Sequence, residues 1–194
     1  LVENAEQNGL AVFREFEVTG AERSGDAFTI TASDGRSVKA DFVVNAAGLY
    51  ADAVSSMFHA ESYEIHPRKG EYHLLDRRTV ACPQRVIFPV PTPVSKGMLV
   101  IPTVEGTVLL GPTADPIEDK EDLTTSRDRL QEIVSSAQRL VPSVSATDII
   151  TSFSGLRPTL EGGDFTIRES ESVPGFIHVA GIQSPGLTAA PAVA

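Results

Sequence analysis

The 194-residue sequence lacks tryptophan and contains a single cysteine, Cys82. One cysteine excludes an internal disulfide and suits a reducing compartment, so we expect a cytoplasmic protein. No cysteine or histidine stands near Cys82 at a metal-ligand spacing, and we expect no metal site. No apolar run approaches the roughly 18 residues that a membrane-spanning helix needs, so the sequence predicts no transmembrane segment.

Positive charge is also scarce, because 16 Lys and Arg residues stand against 26 Asp and Glu residues. The resulting net charge of −10 argues against a nucleic-acid partner. A small anionic substrate stays compatible with this balance, because a substrate responds to the local field of a pocket and not to net charge.

Two phosphate-binding signatures are missing, namely GxGxxG and GxxxxGK followed by Ser or Thr. Any phosphate-binding first turn that the protein uses therefore lies outside these residues. The sequence starts without Met and stops inside a helical pattern, from which we expect a piece of a longer protein.

Hydrophobic periodicity predicts a mixed α/β chain. Alternation over residues 28–33 and 38–44, with Asp34 and Gly35 between them, predicts a β-hairpin. Further strands are predicted at 12–18, 71–75, 86–89, 98–102, 107–111, 149–154, 165–168 and 176–180. The last of these has no alternation, which is typical of a parallel strand buried on both faces.

Helical spacing from Leu130 to Val141 predicts a helix over residues 125–141, and Thr125 and Asp128 have the spacing of a capping box. In the strand predicted over 71–75, Glu71 and His73 share one face because side chains alternate along a strand. We expect that face to be solvated.

The small-residue run Asn45, Ala46, Ala47 and Gly48 follows the return strand of the hairpin. Small side chains let another group approach the backbone closely, and a phosphate-bearing ligand is one such group. A tight strand-to-helix turn without a ligand is the alternative.

A second candidate site follows the strand over 176–180. The next residues predict a loop and the start of a helix: Gly181, Ser184, Pro185, Gly186, Leu187 and Thr188. The unpaired N–H groups of a helix start favour an anion or an electron-rich ring edge. An ordinary turn between a strand and a helix is the alternative.

Two further side chains carry chemistry. Arg157 comes just after an apolar strand and could hold a carboxylate or phosphate through two parallel hydrogen bonds. A surface ion pair is the alternative for Arg157. His66 could act as the base in an alcohol oxidation, by residue type alone.

Four stretches, in order, resemble the second half of flavoproteins of the D-amino-acid-oxidase-like superfamily: ADFVVNAAGLYAD, HPRKGEYHLL, SFSGLRPT and GFIHVAGIQSPGLTAA. The resemblance implies an α/β fold. Residues 1–52 and 149–194 would be parts of a Rossmann-like FAD domain, interleaved with a sheet-plus-helix substrate domain over residues 53–148.

The resemblance also implies FAD as cofactor. Residues 45–48 would lie near its dinucleotide portion, and residues 184–188 would lie near the flavin ring. Arg157 matches the arginine with which the family grips a substrate anion. Since the family's GxGxxG belongs to a segment absent here, we expect FAD to be held by the full-length protein and not retained by residues 1–194 alone.

Within the superfamily, VIPTVEGTVLLGPTAD and GIQSPGLTAAPA resemble bacterial FAD-dependent glycerol-3-phosphate dehydrogenases. Hydride transfer from a small anionic secondary alcohol, glycerol 3-phosphate, to the flavin is therefore implied. Many such enzymes have a Gly-Gly-Lys-Leu-Thr-Thr-like run at 181–186, and this chain departs from it.

Two alternatives stay open. RKGEY and the Ser184-Pro185 loop also resemble L-2-hydroxyglutarate dehydrogenases, so a 2-hydroxy or amino acid dehydrogenase or oxidase is one alternative. A non-catalytic binding module is the other. The electron acceptor is not indicated, and it could bring the protein to a membrane.

Overall fold

The computed structural model describes residues 1–79, 82–91 and 97–194. In chain order the helices and strands are α1 (Val2–Gln7), β1 (Val18–Ser24), β2 (Ala27–Ala32), β3 (Ser37–Ala40), β4 (Val43–Asn45), α2 (Ala51–Met57), β5 (His66–Leu75), β6 (Leu99–Pro102), β7 (Val108–Gly111), β8 (Asp115–Pro116), α3 (Arg127–Leu140), β9 (Ile149–Thr159), β10 (Thr166–Glu169), β11 (Phe176–Ala180) and α4 (Gly186–Val193). Single 3₁₀ turns precede α2 and β9, at Gly48–Tyr50 and Ala146–Asp148. No helix in the described part of the chain is long and apolar enough to cross a membrane.

The chain forms two compact units, and its mixture of helices and sheets confirms the predicted α/β class. Unit 1 comprises Leu1–Tyr63 and Thr166–Ala180, and unit 2 comprises Glu64–Phe165 and Gly181–Ala194. The assignment of residues 1–52 and 149–194 to a cofactor domain, and of 53–148 to a substrate domain, stays a prediction.

Unit 1 contains an antiparallel sheet of order β1-β2-β3, in which β2 and β3 confirm the predicted hairpin. Gly35 has a φ of 87° at the turn, a conformation that glycine adopts without steric cost. The strand predicted over 12–18 is wrong, because β1 only begins at Val18. Val18 lies opposite Ala32, the last residue of β2, so earlier residues have no strand to pair with.

The second sheet of unit 1 has the order β10-β11-β4, with β11 parallel to β4 and antiparallel to β10. The predicted parallel pairing is therefore correct, but only one face of β11 is fully buried. Phe176 on that face packs with Phe28 and Phe58, and the rings of Phe58 and Phe176 have centroids 4.8 Å apart. Ile177 and Val179, on the other face, stay partly exposed.

Unit 2 is built on β5. The sheet order is β6-β7-β5-β8, and β9 pairs antiparallel with β5 along its whole length, from His66 opposite Thr159 to Leu75 opposite Ile149. The strand predicted over 86–89 is wrong, since Ile87 alone forms an isolated bridge among the described residues, to Val100. Prolines on either side of it remove backbone donors that a strand needs.

Helix α3 confirms the helix predicted over 125–141. Its buried residues Ile133 and Ala137 pack in the core of unit 2. The other buried members of that core come from the sheet and the segment after α3: Leu75, Val100, Val108, Leu110 and Val144.

One face of β5 is lined by charged and polar residues that are buried, not solvated as we predicted. Lys69 is 7% exposed and its Nζ donates to Asp122 Oδ2 at 2.6 Å and to Thr124 O at 3.0 Å. Glu71 is 2% exposed and accepts hydrogen bonds from the backbone N and the Oγ of Ser126, at 2.8 and 3.1 Å. Burial is tolerated because each charge has a partner.

His73 continues the same face and is also buried. Its Nε2 lies 3.0 Å from Leu130 O, which can only accept, so Nε2 carries a proton. Its Nδ1 lies 2.8 Å from Ser152 Oγ on β9. His73 thus ties β5 to both α3 and β9.

The start of α3 differs from the predicted capping box of Thr125 and Asp128. Ser126 is the N-cap residue, and its side chain makes no capping bond within the helix. Instead, the carboxylate of Glu71 lies at this helix start, where negative charge interacts favourably with the helix dipole. Glu71, 55 positions away in sequence, therefore accepts the hydrogen bond that a local capping residue would otherwise accept.

The Lys69–Asp122 pair predicts how stability responds to acid. Hydrogen bonds from Lys69 and from Thr124 hold the pKa of Asp122 at about 2. This pKa is below that of an aspartate in an unfolded chain, which is about 3.9. Ionised Asp122 therefore stabilises the fold above about pH 4, and this stabilisation is lost as the pH falls towards 2. Asp122→Asn should therefore lower Tm at pH 7 and make Tm fall less steeply between about pH 4 and 2.

Thermal unfolding followed by circular dichroism across this pH range measures the effect. Asp119→Asn is the control at an exposed aspartate of the same segment, because asparagine keeps the Oδ1 that accepts from Glu121 N. Equal pH profiles for Asp122→Asn and the wild type would contradict the assignment.

Candidate active site

Unit 2 contains a cavity of about 420 Å³. Its lining comes from residues 156–158 of β9 and from the loop and helix start at 182–188. The cavity therefore brings Arg157 together with all five residues predicted to lie near a flavin ring: Ser184, Pro185, Gly186, Leu187 and Thr188.

The loop before α4 is held by its own backbone. Gly181 is buried with a φ of 70°, and a Cβ there would lie 2.8 Å from Leu160 Cδ1. Gln183 N donates to Gly181 O at 2.9 Å, and Gly186 N donates to Gln183 O at 2.6 Å. The helix then begins at Gly186 and carries no acidic residue in its first turn, so its partial positive charge is not neutralised locally.

Arg157 lies within β9, not after a strand as predicted, because β9 extends to Thr159. Its Nη2 donates to Thr113 O at 2.7 Å. Burial is the largest influence and lowers the pKa of Arg157; the charges of Tyr72 and Asp115 act against it, and the charge of Arg68 adds to it. Among the residues that the structure describes, no carboxylate lies within 4.0 Å of the Arg157 guanidinium. The described residues therefore do not form the surface ion pair that was the alternative for Arg157.

Arg68 is a residue that the sequence analysis missed. It stands directly opposite Arg157 in the pairing of β5 with β9. Directly opposed residues share a face of the sheet, and like charges in such pairs repel each other. Arg68 is not part of the cavity lining, but an anion bound beside both guanidinium groups would relieve this repulsion. The alternation of side chains in HPRKGEYH could have identified Arg68, because every second residue of this stretch lies on the face of the sheet that carries Arg157.

His66 begins β5, with Thr159 opposite it. Its side chain is 54% exposed, and its Nε2 lies 3.9 Å from Glu64 Oε2. The residue is not part of the cavity lining, so its role as a base stays a prediction.

The predicted dinucleotide-contacting residues Asn45, Ala46, Ala47 and Gly48 lie in unit 1, at the end of β4. Asn45 is 2% exposed, its Nδ2 donates to Ala51 O at 2.7 Å, and its Oδ1 accepts from Ala47 N at 3.3 Å. The side chain therefore holds the turn together. Ala46 and Ala47 are exposed and Gly48 has a φ of 58°, which leaves backbone and small side chains at the surface.

A buried polar network, also missed in the sequence, supports this turn within unit 1. Tyr63 Oη donates to Ala51 O at 2.9 Å, the carbonyl that Asn45 also uses. His178 is 1% exposed and places Nδ1 3.4 Å from Tyr63 Oη and Nε2 2.6 Å from Glu61 Oε2. Burial raises the pKa of Glu61, but hydrogen bonds from His178 and from backbone N–H groups outweigh it and bring the pKa well below its usual range.

Comparison with known sequences identifies the class of protein. Residues 1–194 match the family model described as FAD dependent oxidoreductase, DAO. The chain therefore belongs to the DAO family of FAD-dependent oxidoreductases.

Particular relatives share this family. The chain is 43% identical to a glycerol 3-phosphate dehydrogenase of Caloramator mitchellensis, over the whole chain and 40% of the relative. It is 33% identical to a glycerol 3-phosphate oxidase of Mycoplasma genitalium, over 97% of the chain and 50% of the relative. A structure of dithionite-reduced L-alpha-glycerophosphate oxidase from Mycoplasma pneumoniae with FAD bound superposes with a TM-score of 0.90 at 31% identity, covering 97% of this chain and 50% of that one. The chain thus spans half or less of the length of these relatives.

Residues on each unit fit the cofactor of this family. The start of α4 lines the cavity and carries no acidic residue in its first turn, so the partial positive charge of the helix start suits a ring edge that gains negative charge. In unit 1, the exposed Ala46 and Ala47 have no side chain beyond Cβ, so a ligand could approach their backbone closely.

These contacts predict that residues 1–194 alone bind FAD weakly. The sequence has no GxGxxG turn for the pyrophosphate, and each missing charge-assisted hydrogen bond forfeits about 1.5–3 kcal/mol. Loss of several such bonds takes a nanomolar site towards about millimolar. Calorimetric titration of the purified chain with FAD measures this, and a Kd at or below about 1 μM would contradict the assignment of contacts.

Proposed function

We propose that this chain is the flavin-contacting and substrate-binding part of an FAD-dependent dehydrogenase that oxidises glycerol 3-phosphate. The observation that carries the proposal is Arg157, a half-buried guanidinium that shares one cavity with the start of α4. Similarity to a glycerol 3-phosphate dehydrogenase over the whole chain supports the substrate.

The proposed roles follow from the chemistry of each group. The bound flavin supplies a hydride acceptor. Arg157 binds the substrate phosphate, because its planar fork offers two parallel N–H donors to phosphate oxygens. Arg68, on the same face of the sheet, adds positive charge near that anion.

Residues 184–188 would hold the flavin ring, where the start of α4 would stabilise the negative charge that the ring gains on reduction. The turn at residues 45–48 would hold the dinucleotide portion. A base takes the proton of the substrate hydroxyl, and His66 is the candidate by residue type. The missing phosphate-binding first turn would come from outside these residues.

An L-2-hydroxy acid is the second candidate substrate, because a carboxylate matches the guanidinium fork as well as a phosphate does. The observation in its favour is the loop Gly181-Ile182-Gln183-Ser184-Pro185-Gly186, which contains no lysine to add charge for a phosphate.

The test of this proposal uses the complete flavoprotein that carries this chain. It should purify yellow, and anaerobic glycerol 3-phosphate should bleach its flavin absorbance. L-2-hydroxyglutarate, offered in the same way, should leave the absorbance unchanged. Bleaching by L-2-hydroxyglutarate alone would establish the second candidate. Absence of flavin absorbance after reconstitution with FAD would indicate a non-catalytic binding module.

The role of Arg157 is tested by Arg157→Lys in the same protein. Lysine keeps the charge but loses the bidentate fork, so we expect kcat/KM for glycerol 3-phosphate to fall by about 30-fold, or about 2 kcal/mol in transition-state binding. Arg168→Lys, at an exposed arginine that pairs with Glu171, is the matched control and should stay within about twofold of the wild type. An unchanged kcat/KM in Arg157→Lys would assign the residue a structural role.

A further inference from the structure

Gly70, at the centre of β5, lies in contact with the guanidinium of Arg157. A Cβ at residue 70 would lie 2.4 Å from Arg157 Nη2, well inside the contact distance of real atoms. It would also lie 3.1 Å from Pro112 Cβ and 3.2 Å from Thr113 O. The side chain of Arg157 therefore crosses β5 directly over Gly70 on its way to Thr113.

The backbone of Gly70 does not itself require glycine. Its φ lies outside the left-handed region, and its neighbours in β5 all carry side chains. Glycine in a strand interior weakens the strand, and it often marks a close approach by another group. Here the group that approaches is the guanidinium.

The acceptor that receives Arg157 is fixed in place by the same strand. Thr113 is 4% exposed, its backbone N donates to Glu71 O at 3.2 Å, and its Oγ1 accepts from Glu71 N at 3.0 Å. Thr113 O is thus held beside β5, and the bond of 2.7 Å from Arg157 Nη2 to this oxygen fixes the guanidinium across the strand.

We propose that Gly70 is a positioning residue for Arg157. Its missing side chain leaves the space in which the guanidinium lies over β5 and donates to Thr113 O, with its remaining N–H groups available to the substrate anion. This inference rests on the proposed function for its kinetic consequence, but its structural part stands without it.

Gly155 provides a matched control. It lies directly opposite Gly70 in the pairing of β5 with β9, on the same face of the sheet, and a Cβ there would meet no atom of the described residues within 4 Å. Gly70→Ala and Gly155→Ala thus add the same methyl group to paired positions, with only one of them in the path of Arg157.

The direct test is a crystal structure of the complete flavoprotein with Gly70→Ala. We expect Arg157 Nη2 to move by about 1 Å or more, the shift needed for ordinary contact with a new Cβ, and to lose Thr113 O. An Arg157 that keeps this hydrogen bond in Gly70→Ala would overturn the inference. This readout does not depend on which substrate the enzyme oxidises.

Kinetics add a readout that a merely structural role would not change. Gly70→Ala should raise KM for glycerol 3-phosphate and the inhibition constant of inorganic phosphate at least tenfold, with FAD content unchanged, whereas Gly155→Ala should stay within about twofold of wild type. In an Arg157→Met background, which has no guanidinium to displace, Gly70→Ala should add no further loss. If Gly70→Ala causes the same loss in the Arg157→Met background, the added methyl group acts through its contacts with Pro112 and Thr113 and not through Arg157. That result would overturn the inference.

If Gly70→Ala fails to fold, the double variant with Arg157→Met still decides the question. Recovery of a folded, yellow protein in the double variant would support the inference, because the clash of 2.4 Å is gone. Failure of the double variant to fold would overturn it.

Discussion

The antiparallel pairing of β5 with β9 is the constraint on which the rest of unit 2 depends. Because side chains alternate, one face of β5 presents Lys69 and Glu71 to the segment before α3, while the other presents Arg68 and Gly70 beside Arg157. A slip of one residue would exchange the two faces. Such a slip would place Arg68 where α3 begins and would remove Lys69 and Glu71 from their partners. The register of β5 against β9 therefore also determines which residues lie beside Arg157.

The buried charges of β5 make this register specific. Taking a carboxylate or an ammonium out of water costs several kcal/mol unless each finds partners. In the described part of the chain, the side chains of Lys69 and Glu71 find these partners on the segment that leads into α3, so a different register would separate them from those partners. The same Glu71 residue, through its backbone, holds Thr113, and Thr113 holds Arg157. Packing of the core is thereby linked to the orientation of the candidate anion-binding group.

In unit 1, buried polar side chains likewise hold the backbone of the candidate site in place. Asn45 is buried and uses its amide to hold the turn after β4, and a network from Tyr63 through His178 to Glu61 supports the same carbonyl. The polar side chains are thus engaged with the protein itself. What the turn presents outward is backbone flanked by Ala46 and Ala47, which suits close approach by a ligand better than recognition by side chains.

The sequence by itself determined the α/β class, the hairpin of β2 and β3, the helix α3 and the family, because these follow from local periodicity, turn chemistry and ordered motifs. Only the tertiary structure decided that Glu71 lies at the start of α3, that Arg68 opposes Arg157, and that Gly70 lies beneath its guanidinium. The physical reason is that burial and strand register depend on partners distant in sequence. A charged residue on a strand has the same local pattern whether water or a helix 55 residues away satisfies it.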